Sequence, residues 1–570
     1  QAPPSKHKHD LEALADADPE FFEFLQQNDQ SLLNFSGSDS GLSSGSEDDA
    51  PGSDSDLSEG DLEGDAAAAA GAGAKPDKKK DSAKAKATAK AEAEAARKAK
   101  LGKELTPAVL QAMLAKAIKK KSLKGLHALL AAFGAACHLH DAVGEEAKRR
   151  FAIHSNAVFN KLVVDALEHA HALVWHHMGV PPGKGRTAAG VTTAPKWGRM
   201  QALVKVMLGN VTHFLAELTE PSMLVYVLRS LRPYMDFVAP FPRRARKLLK
   251  VLLGLWGSTD HQGVRLVAFL RIRQLAVVAP GDGLEAVYKG MYLTFVKRAK
   301  FVSETSAPSL ALMGNTMVEI YGLHPATAYQ HGFVYLRELA VRLRSAVTAK
   351  TKQAVQNVYS WQFMNCLKMW GAVLAAHAAS PGAELAPLVY PLVQVLLGVA
   401  KLVPTARYYP LRFLVVSLLN EITWTTHMYI PVAPILLDAL TTVAAMPKPR
   451  STRAYKPPMW NLILKLSKDA LSAASVRTAV VRRALELLAD HLGAHHNSIA
   501  FPEVVAPTVT HLRAFIKAAR NSEWRDGAKS LLGAQQKHAD RVLAKRAAFD
   551  ACPRDAAAVA GFMAAERQAA

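Results

Sequence analysis

Residues 240–257 read PFPRRARKLLKVLLGLWG, and this stretch decides the fold class. Its apolar residues recur at the three- and four-residue spacing of one helix face, and proline and glycine punctuate its ends. The stretches HQGVRLVAFLRIRQLAVV at 261–278 and GLEAVYKGMYLTFVKRAKFV at 283–302 repeat the pattern after short breaks. One amphipathic helix following another in this way predicts an all-α protein.

The same helical pattern runs from Thr106 toward the C-terminus, and no stretch shows the strict alternation of a strand. In LTPAVLQAMLAKAIKK, Thr106 is the predicted cap of a helix and Pro107 its first residue. Helices in such succession are typical of a HEAT- or armadillo-like α-solenoid, whose repeats span about 40 residues. We predict a HEAT-like helical-repeat domain over 104–550 and a C-terminal tail over 551–570, with loops at 179–199 and 445–458. No repeat consensus fixes the register.

Bulk composition indicates a large buried core, since half of the 570 residues are hydrophobic. Cys137, Cys366 and Cys552 form no CxxC pair, so neither a disulfide framework nor a thiolate zinc site is predicted, and a reducing compartment fits. The most apolar window, 388–403, carries two polar residues and is shorter than the roughly 20 residues of a membrane span. We expect no transmembrane segment, no signal peptide and no membrane partner.

Acidic and basic residues are concentrated in different parts of the chain. Residues 1–65 hold 17 acidic and 2 basic residues, whereas the remainder holds 68 basic and 32 acidic residues, a net charge of +36. Lys and Arg bind phosphate whatever the nucleotide sequence, so the basic part predicts a polyanionic partner. RNA, DNA and acidic protein tails all meet that requirement.

The first 103 residues are predicted to be mostly disordered, with a docking motif at 18–35. Asp18, Pro19 and Glu20 suit an N-cap and first helical turn, but so short a helix is marginal alone in water. We therefore expect it to dock on the solenoid or on a partner, the alternative being a chance apolar cluster. The predicted docking residues are Asp18, Pro19, Phe21, Phe22, Phe24, Leu25, Leu32 and Leu33.

Two charged runs follow the docking motif. The acidic run at 36–65 has 10 acidic and no basic residues, and Ser46, Ser53 and Ser58 each precede an acidic residue by three positions, as sites of acidophilic kinases do. The Lys/Ala-rich run at 75–103 has 11 basic and 4 acidic residues. This second run predicts a basic helix on RNA or a nuclear import signal, and a solvated linker is the alternative.

No catalytic, cofactor or metal motif is complete. The sequence GVPPGKGRT at 179–187 resembles a phosphate-binding loop but is one residue short between its glycines and lacks the Ser or Thr that follows the lysine. The cluster His169, His171, His176 and His177 lacks an HExxH arrangement, and histidines on long helices are more often structural. The chain is predicted not to be an enzyme and to need no cofactor.

Basic clusters beside apolar helical stripes predict a binding scaffold. Each cluster taken alone is also explained as a solvated helix face, and Arg482 and Arg483 form a further pair of this kind. The residues predicted to face RNA are Lys78, Lys79, Lys80, Arg243, Arg244, Arg246, Lys247, Lys297, Arg298 and Lys300.

A family resemblance covers roughly 15–35 and most of 110–550. The stretches DPEFFEFLQQNDQSLLNF, MYLTFVKRAKFVSETSAPSLALMGNTMVEIYGL and SWQFMNCLKMWGAVLAAH occur in the order found in the nucleolar complex protein 2 family of ribosome-assembly factors. The most specific points are Trp361-Gln362 and Tyr409-Pro410-Leu411-Arg412. The chain is similar to this family but matches it loosely in the loop at 179–199, at 448–456 and in the alanine-rich 66–97.

The resemblance implies a HEAT-like protein without enzymatic activity that acts in the nucleolus and nucleoplasm. It implies complexes with nucleolar complex protein 1-type and 3-type relatives, and a role in the maturation and intranuclear movement of large-subunit pre-ribosomal particles, which contain rRNA. A karyopherin-like or chromatin-associated adaptor that binds acidic proteins or histones is the alternative, since it also needs a basic solenoid.

Overall fold

The computed structural model describes residues 103–139, 151–183, 186–380, 382–448, 455–549, 552 and 554–563. All of them belong to one compact unit, Ala83–Ala570. The docking motif at 18–35, the acidic run at 36–65, Lys78, Lys79 and Lys80 lie outside the described residues. Their predicted roles therefore stay predictions.

The first part of the described chain is built from helices joined by short turns. A two-residue parallel pair, β1 (Lys103–Glu104) and β2 (Phe151–Ala152), precedes and follows the first two helices. The helices are α1 (Pro107–Leu114), which continues as a π-helical turn over Ala115–Lys119, α2 (Leu123–Cys137), α3 (Asn156–His177), α4 (Ala188–Thr193), α5 (Trp197–Glu217), α6 (Pro221–Ser230), α7 (Pro242–Ser258), α8 (Gln262–Val278) and α9 (Asp282–Arg298).

The second part continues in the same manner. Its helices are α10 (Ala307–Tyr321), α11 (Pro325–Ala349), α12 (Lys352–Val358), α13 (Trp361–His377), α14 (Val389–Leu402), α15 (Tyr409–Thr426), α16 (Ala433–Ala445), α17 (Lys468–Ser472), α18 (Ala474–Gly493), α19 (Phe501–Ala518), α20 (Ser522–Ala547) and α21 (Ala556–Gly561). Short 3₁₀ turns at Arg232–Phe237, Ala386–Leu388 and Ala406–Tyr408 lead into the helices that follow them.

The helices pack in chain order, which confirms the predicted all-α solenoid. Helix α5 packs on α7, α7 packs on α8 and α9, and α9 packs on α10, α11 and α13. Further along, α13 packs on α14 and α15, α15 packs on α18, and α18 packs on α20. Each helix thus buries its apolar stripe against near neighbours in sequence, as a solenoid does. The assignment of HEAT-type repeats stays a prediction.

Local sequence signals explain several helix ends. Helix α1 starts as predicted, because the Val109 amide donates to the Thr106 hydroxyl oxygen at 3.5 Å and Pro107 occupies the first turn. The predicted loop at 179–199 is wrong in part, since α4 lies within it and α5 already begins at Trp197. Thr187 caps α4 by accepting from the Gly190 amide at 3.3 Å.

The core runs through the whole helical stack and is rich in large aromatic side chains. Trp256, Trp370, Tyr288 and Tyr321 are all buried, and the Trp370 and Tyr321 rings lie 4.9 Å apart. Within the predicted C-terminal tail, the Phe562 ring lies 5.2 Å from Phe549 in a T-shaped contact. None of the described helices has the length and apolar character needed to cross a bilayer.

Candidate nucleic-acid interface

The crossing of α7 and α9 is unusually close because glycines lie at the points of contact. A Cβ atom at Gly257 of α7 would come within 2.4 Å of the Thr294 Cγ2 atom of α9. A Cβ atom at Gly290 of α9 would come within 2.5 Å of Leu253 Cδ1 of α7. Contacts this short do not occur for real side chains, so a side chain at Gly257 would displace the stiff Thr294, whereas one at Gly290 would displace the flexible end of Leu253.

The close crossing leaves an open groove of about 510 Å³ between the two helices. Leu249, Leu253 and Leu293 contribute its apolar floor. Its cationic residues are Arg246 and Lys250 from α7 and Lys297 and Arg298 from α9, and we call these four residues with the space between them the basic groove. All four side chains are exposed.

The basic groove unites two clusters that are about fifty residues apart in sequence. Of the predicted RNA-facing residues, it brings together Arg246, Lys297 and Arg298. Arg243 and Lys247 are exposed on α7 beside it, and Lys300 is exposed just after α9. Arg244 instead lies over α5, where its Nη1 atom would be 3.2 Å from a Cβ atom at Gly209.

The position of the α7 cations is unfavourable for the helix itself. Arg243, Arg244 and Arg246 lie in or next to the first turn of α7, and that turn contains no acidic residue. The N-terminus of a helix carries partial positive charge, so each cation there costs about 0.3–1 kcal/mol at an exposed site. Helix stability therefore gives no reason for the cluster, whereas binding of an anion does.

The groove cations have no carboxylate partner among the described residues. Within the described residues, none of the four lies within 4.0 Å of a carboxylate oxygen. Arg482 and Arg483, the other predicted pair, differ in this respect: Arg482 binds Glu523 at 2.6 Å and Arg483 binds Glu486 at 3.1 Å. Arg482 and Arg483 therefore form ion pairs on the protein surface, whereas the four cations of the basic groove form none with the described residues.

Two arginines close the C-terminal end of α7. The Arg265 Nε atom donates to the Trp256 carbonyl oxygen at 2.9 Å, and the Arg298 Nε atom donates to the Gly257 carbonyl oxygen. These carbonyl groups belong to the last turn of α7, where backbone carbonyls have no hydrogen-bond partner within their own helix. Burial lowers the pKa of Arg265 from its ordinary value, and nearby Arg298 lowers it further while Asp260 raises it.

Two residues that the sequence did not single out are Lys250, within the groove, and Phe301, which follows α9 and does not line the groove. Lys250 lines the groove one turn beyond Arg246. Phe301 directly follows Lys300, and 83% of its surface is exposed, the largest fraction among the exposed large hydrophobic residues of the described chain. An exposed aromatic ring beside cations is the arrangement on which single-stranded bases stack. A signal for Phe301 was present in the sequence, as a lone phenylalanine within KRAKFV.

Comparison with known proteins gives the family. Residues 282–570 match the model of the Noc2p family. The chain is 32% identical to the nucleolar complex-associated protein 2 of Arabidopsis thaliana, in an alignment that covers 97% of this chain and 68% of that protein. It is 31% identical to the nucleolar complex protein 2 of Drosophila melanogaster, over 98% of this chain and 73% of that protein.

The chain belongs to the Noc2p family. An uncharacterised family member of Schizosaccharomyces pombe is more distant, at 24% identity over 98% of this chain and 73% of its own. The family match starts at Asp282, the first residue of α9. The α9 side of the basic groove therefore lies inside the matched region of this Noc2p family member, and the α7 side precedes it.

Within the histidine cluster, His171 packs against Tyr234. The His171 amide donates to the Tyr234 hydroxyl oxygen at 3.3 Å, and the two rings lie 5.7 Å apart. Burial, followed by the nearby Arg186, lowers the pKa of His171. Over the described ranges, no three His, Cys, Asp or Glu residues are grouped so as to hold a metal ion. In the loop at 179–187, Lys184 and Gly185 lie outside the described residues.

Proposed function

We propose that this Noc2p family member is a non-enzymatic scaffold for large ribosomal subunit assembly in the nucleolus, and that it holds rRNA-containing precursors through the basic groove. The observation that carries the proposal is the convergence of four exposed cations from two helices on one groove. The names of the Arabidopsis and Drosophila relatives support the nucleolar setting.

The groove suits a nucleic-acid backbone for two physical reasons. Cations repeat along it, as phosphates repeat along RNA, and each phosphate contact releases counterions and so favours binding. Phe301, at the end of α9, adds an aromatic face that accepts any base. Both features give affinity without sequence preference, which is what a scaffold on a large precursor needs.

The proposal includes partner exchange. Complexes with nucleolar complex protein 1-type and 3-type relatives would accompany successive maturation stages, and the later complex would move with the particle from nucleolus to nucleoplasm. An α-solenoid fits this role, because it exposes a long surface on which another helical protein can pack while the groove holds RNA.

The docking motif at 18–35 is the part that we propose to bind a partner protein. Asp18 would cap the helix, and Phe21 and Leu25 would anchor it in an apolar groove of the partner. A peptide spanning 15–36 should recover the partner from nuclear extract, and Phe21→Ala with Leu25→Ala should abolish the recovery. Equal recovery by both peptides would contradict this role.

Sedimentation of the tagged full-length protein tests the proposal and separates it from the adaptor alternative. The scaffold is expected to sediment with large-subunit precursors and to be released by RNase. A karyopherin-like or chromatin-associated adaptor would instead stay with acidic proteins or histones after RNase treatment. Absence from the precursor fractions would contradict the scaffold function.

A further inference from the structure

A second, smaller cavity of about 370 Å³ adjoins the basic groove. It lies where the C-terminal end of α7 meets α9 and the start of α10. Gly257 and Arg298 line both spaces, so the cavity and the groove are adjacent. The polar residues around the cavity are Asp260, Arg265, Arg298, Thr305, Ser306 and Ser309.

Arg265 is the decisive side chain in this cavity. Only 3% of its surface is exposed, and two of its nitrogens are held by carbonyl oxygens, Nε by Trp256 at 2.9 Å and Nη2 by Thr259. Its Nη1 atom is buried and has no hydrogen-bond partner in the part of the chain that the structure describes. A buried guanidinium donor without an acceptor is costly, and a bound anion would remove that cost.

The start of α10 is a second, independent feature. This helix has 15 residues, and its N-terminus carries partial positive charge. In its first turn the Ala307 amide donates to the Ser303 carbonyl oxygen at 2.9 Å and Pro308 has no N–H, so the Ser309 amide is the donor that this terminus offers. Ser306 is its N-cap residue, but no described side chain caps the amides of the first turn. The Ser306 hydroxyl instead bonds to Ser303, with the two oxygens 3.1 Å apart.

The charges around the cavity favour an anion. Arg265 and Arg298 supply two positive charges, and Asp260 supplies one negative charge, so the cavity is positive before the helix N-terminus is counted. The hydroxyls of Thr305, Ser306 and Ser309 add neutral donors. Paired guanidinium groups with hydroxyl donors and a helix N-terminus form the donor set that phosphate oxygens bind.

We propose that this cavity is a phosphate-binding pocket that holds a backbone phosphate of RNA at the end of the basic groove. The pocket itself is inferred from its own residues, and only the identity of the polymer rests on the proposed function. RNA is favoured over a phosphopeptide because the adjacent groove carries the further cations Arg246, Lys250 and Lys297, which suit a chain of repeated phosphate charges.

The pocket can be blocked without weakening the fold. Ser309 is in the first turn of α10, where a carboxylate is favourable for the helix. Ser309→Glu would place that carboxylate beside Arg265 and Arg298, so it should occupy the pocket while keeping the protein folded. Ala326→Glu is the matched control, because it adds the same charge to the exposed first turn of α11, and that residue does not line the pocket.

The first measurement is thermal unfolding of the full-length protein in increasing inorganic phosphate, with chloride keeping the ionic strength constant. The midpoint temperature should rise with phosphate in the wild type and in Ala326→Glu, and this rise should be lost in Ser309→Glu. A wild type that does not respond to phosphate, or a Ser309→Glu variant that responds equally, would overturn the pocket.

The second measurement identifies the polymer, by fluorescence anisotropy with a single-stranded RNA and with a phosphoserine peptide. Ser309→Glu should weaken RNA binding by about 10-fold, the value of one charge-assisted hydrogen-bonded contact, and Ala326→Glu by less than about 2-fold. Unchanged RNA affinity, or a loss confined to the phosphopeptide, would overturn the assignment to RNA. Sedimentation of the wild type and its release by RNase do not depend on these variants. The sedimentation experiment therefore tests the proposed function independently of the pocket.

Discussion

Gly257 of α7 and Thr294 of α9 touch so closely that no side chain fits at residue 257. A Cβ atom there would lie 2.4 Å from the Thr294 Cγ2 atom, which belongs to a stiff β-branched side chain. The contact sets the distance between the two helices and therefore the width of the basic groove. RNA binding in the basic groove, as proposed, depends on this crossing.

Gly257→Ala should destabilise the protein, because the added methyl group must push α7 and α9 apart. We expect a loss of about 1–3 kcal/mol in the free energy of unfolding, measured by thermal or denaturant unfolding. Gly254→Ala is the control on the same helix, since a Cβ atom there meets nothing within 4 Å. The control should be neutral or more stable by up to about 1 kcal/mol, as alanine favours a helix. Equal effects of the two substitutions would show that the crossing is not tight.

Lys250→Gln and Lys297→Gln should each weaken binding to single-stranded RNA and flatten its dependence on salt. Each lost phosphate contact lowers the slope of log affinity against log salt by about 0.7 for a single strand. Lys289→Gln is the matched control, because Lys289 is exposed on α9 but does not line the groove. The measurement is fluorescence anisotropy from low to physiological salt. An equal loss of slope in the control would mean that only net charge matters.

Phe301→Ala should lower RNA affinity roughly 5- to 150-fold, since stacking on one aromatic ring contributes about 1–3 kcal/mol per base. The unfolding temperature should not change, because the ring is 83% exposed. Phe301→Trp should retain the affinity. Tyr390→Ala is the control, as this ring is 70% exposed on α14 and has no proposed role. Unchanged RNA affinity in Phe301→Ala would contradict the proposed stacking of a base on this ring.

Stability should fall as the pH drops from about 6.5 to about 4, because of a buried histidine. Burial lowers the pKa of His491 to about 4, with nearby His495 acting in the same direction. Between these values the unfolded chain binds a proton that the folded chain does not, so the free energy of unfolding falls by at most about 1.4 kcal/mol per pH unit. The contribution is complete above the unfolded pKa and lost below the folded one.

Thermal unfolding across that pH range measures the effect, with His491→Leu as the test variant. The variant should lose less stability on acidification than the wild type, because the buried site no longer takes up a proton on unfolding. His261→Ala is the control, since His261 is exposed. Identical pH profiles for wild type and His491→Leu would contradict the assignment.

Sequence alone was sufficient for the fold class, and it located Arg246, Lys297 and Arg298, three of the four cations that line the basic groove. Helical spacing in 240–257 and 283–302 predicted α7 and α9, and the cations at Arg246 and Lys297 were visible as separate clusters. Their convergence was not visible, because it depends on which turns of α7 and α9 cross, and Gly257 and Gly290 look like any other helix glycines.

The remaining errors have physical causes as well. Helix α4 was missed because AAGVTT contains glycine and β-branched residues, which favour a helix little on their own. The sequence leaves open whether Arg482 and Arg483 form a binding surface or a solvated helix face, because their partners Glu523 and Glu486 are identified only by the fold. Arg265 was hidden within an apolar run of α8, and only burial shows that one of its donors is unpaired.

The most direct test of the central claim is ultraviolet crosslinking of RNA to the protein in isolated large-subunit precursor particles, followed by mass spectrometry of the crosslinked peptides. We expect crosslinks in residues 246–258 of α7 and in residues 293–301 at and just beyond the end of α9, with Phe301 among the modified residues. Particles that contain the protein but crosslink RNA only outside both segments would contradict the account.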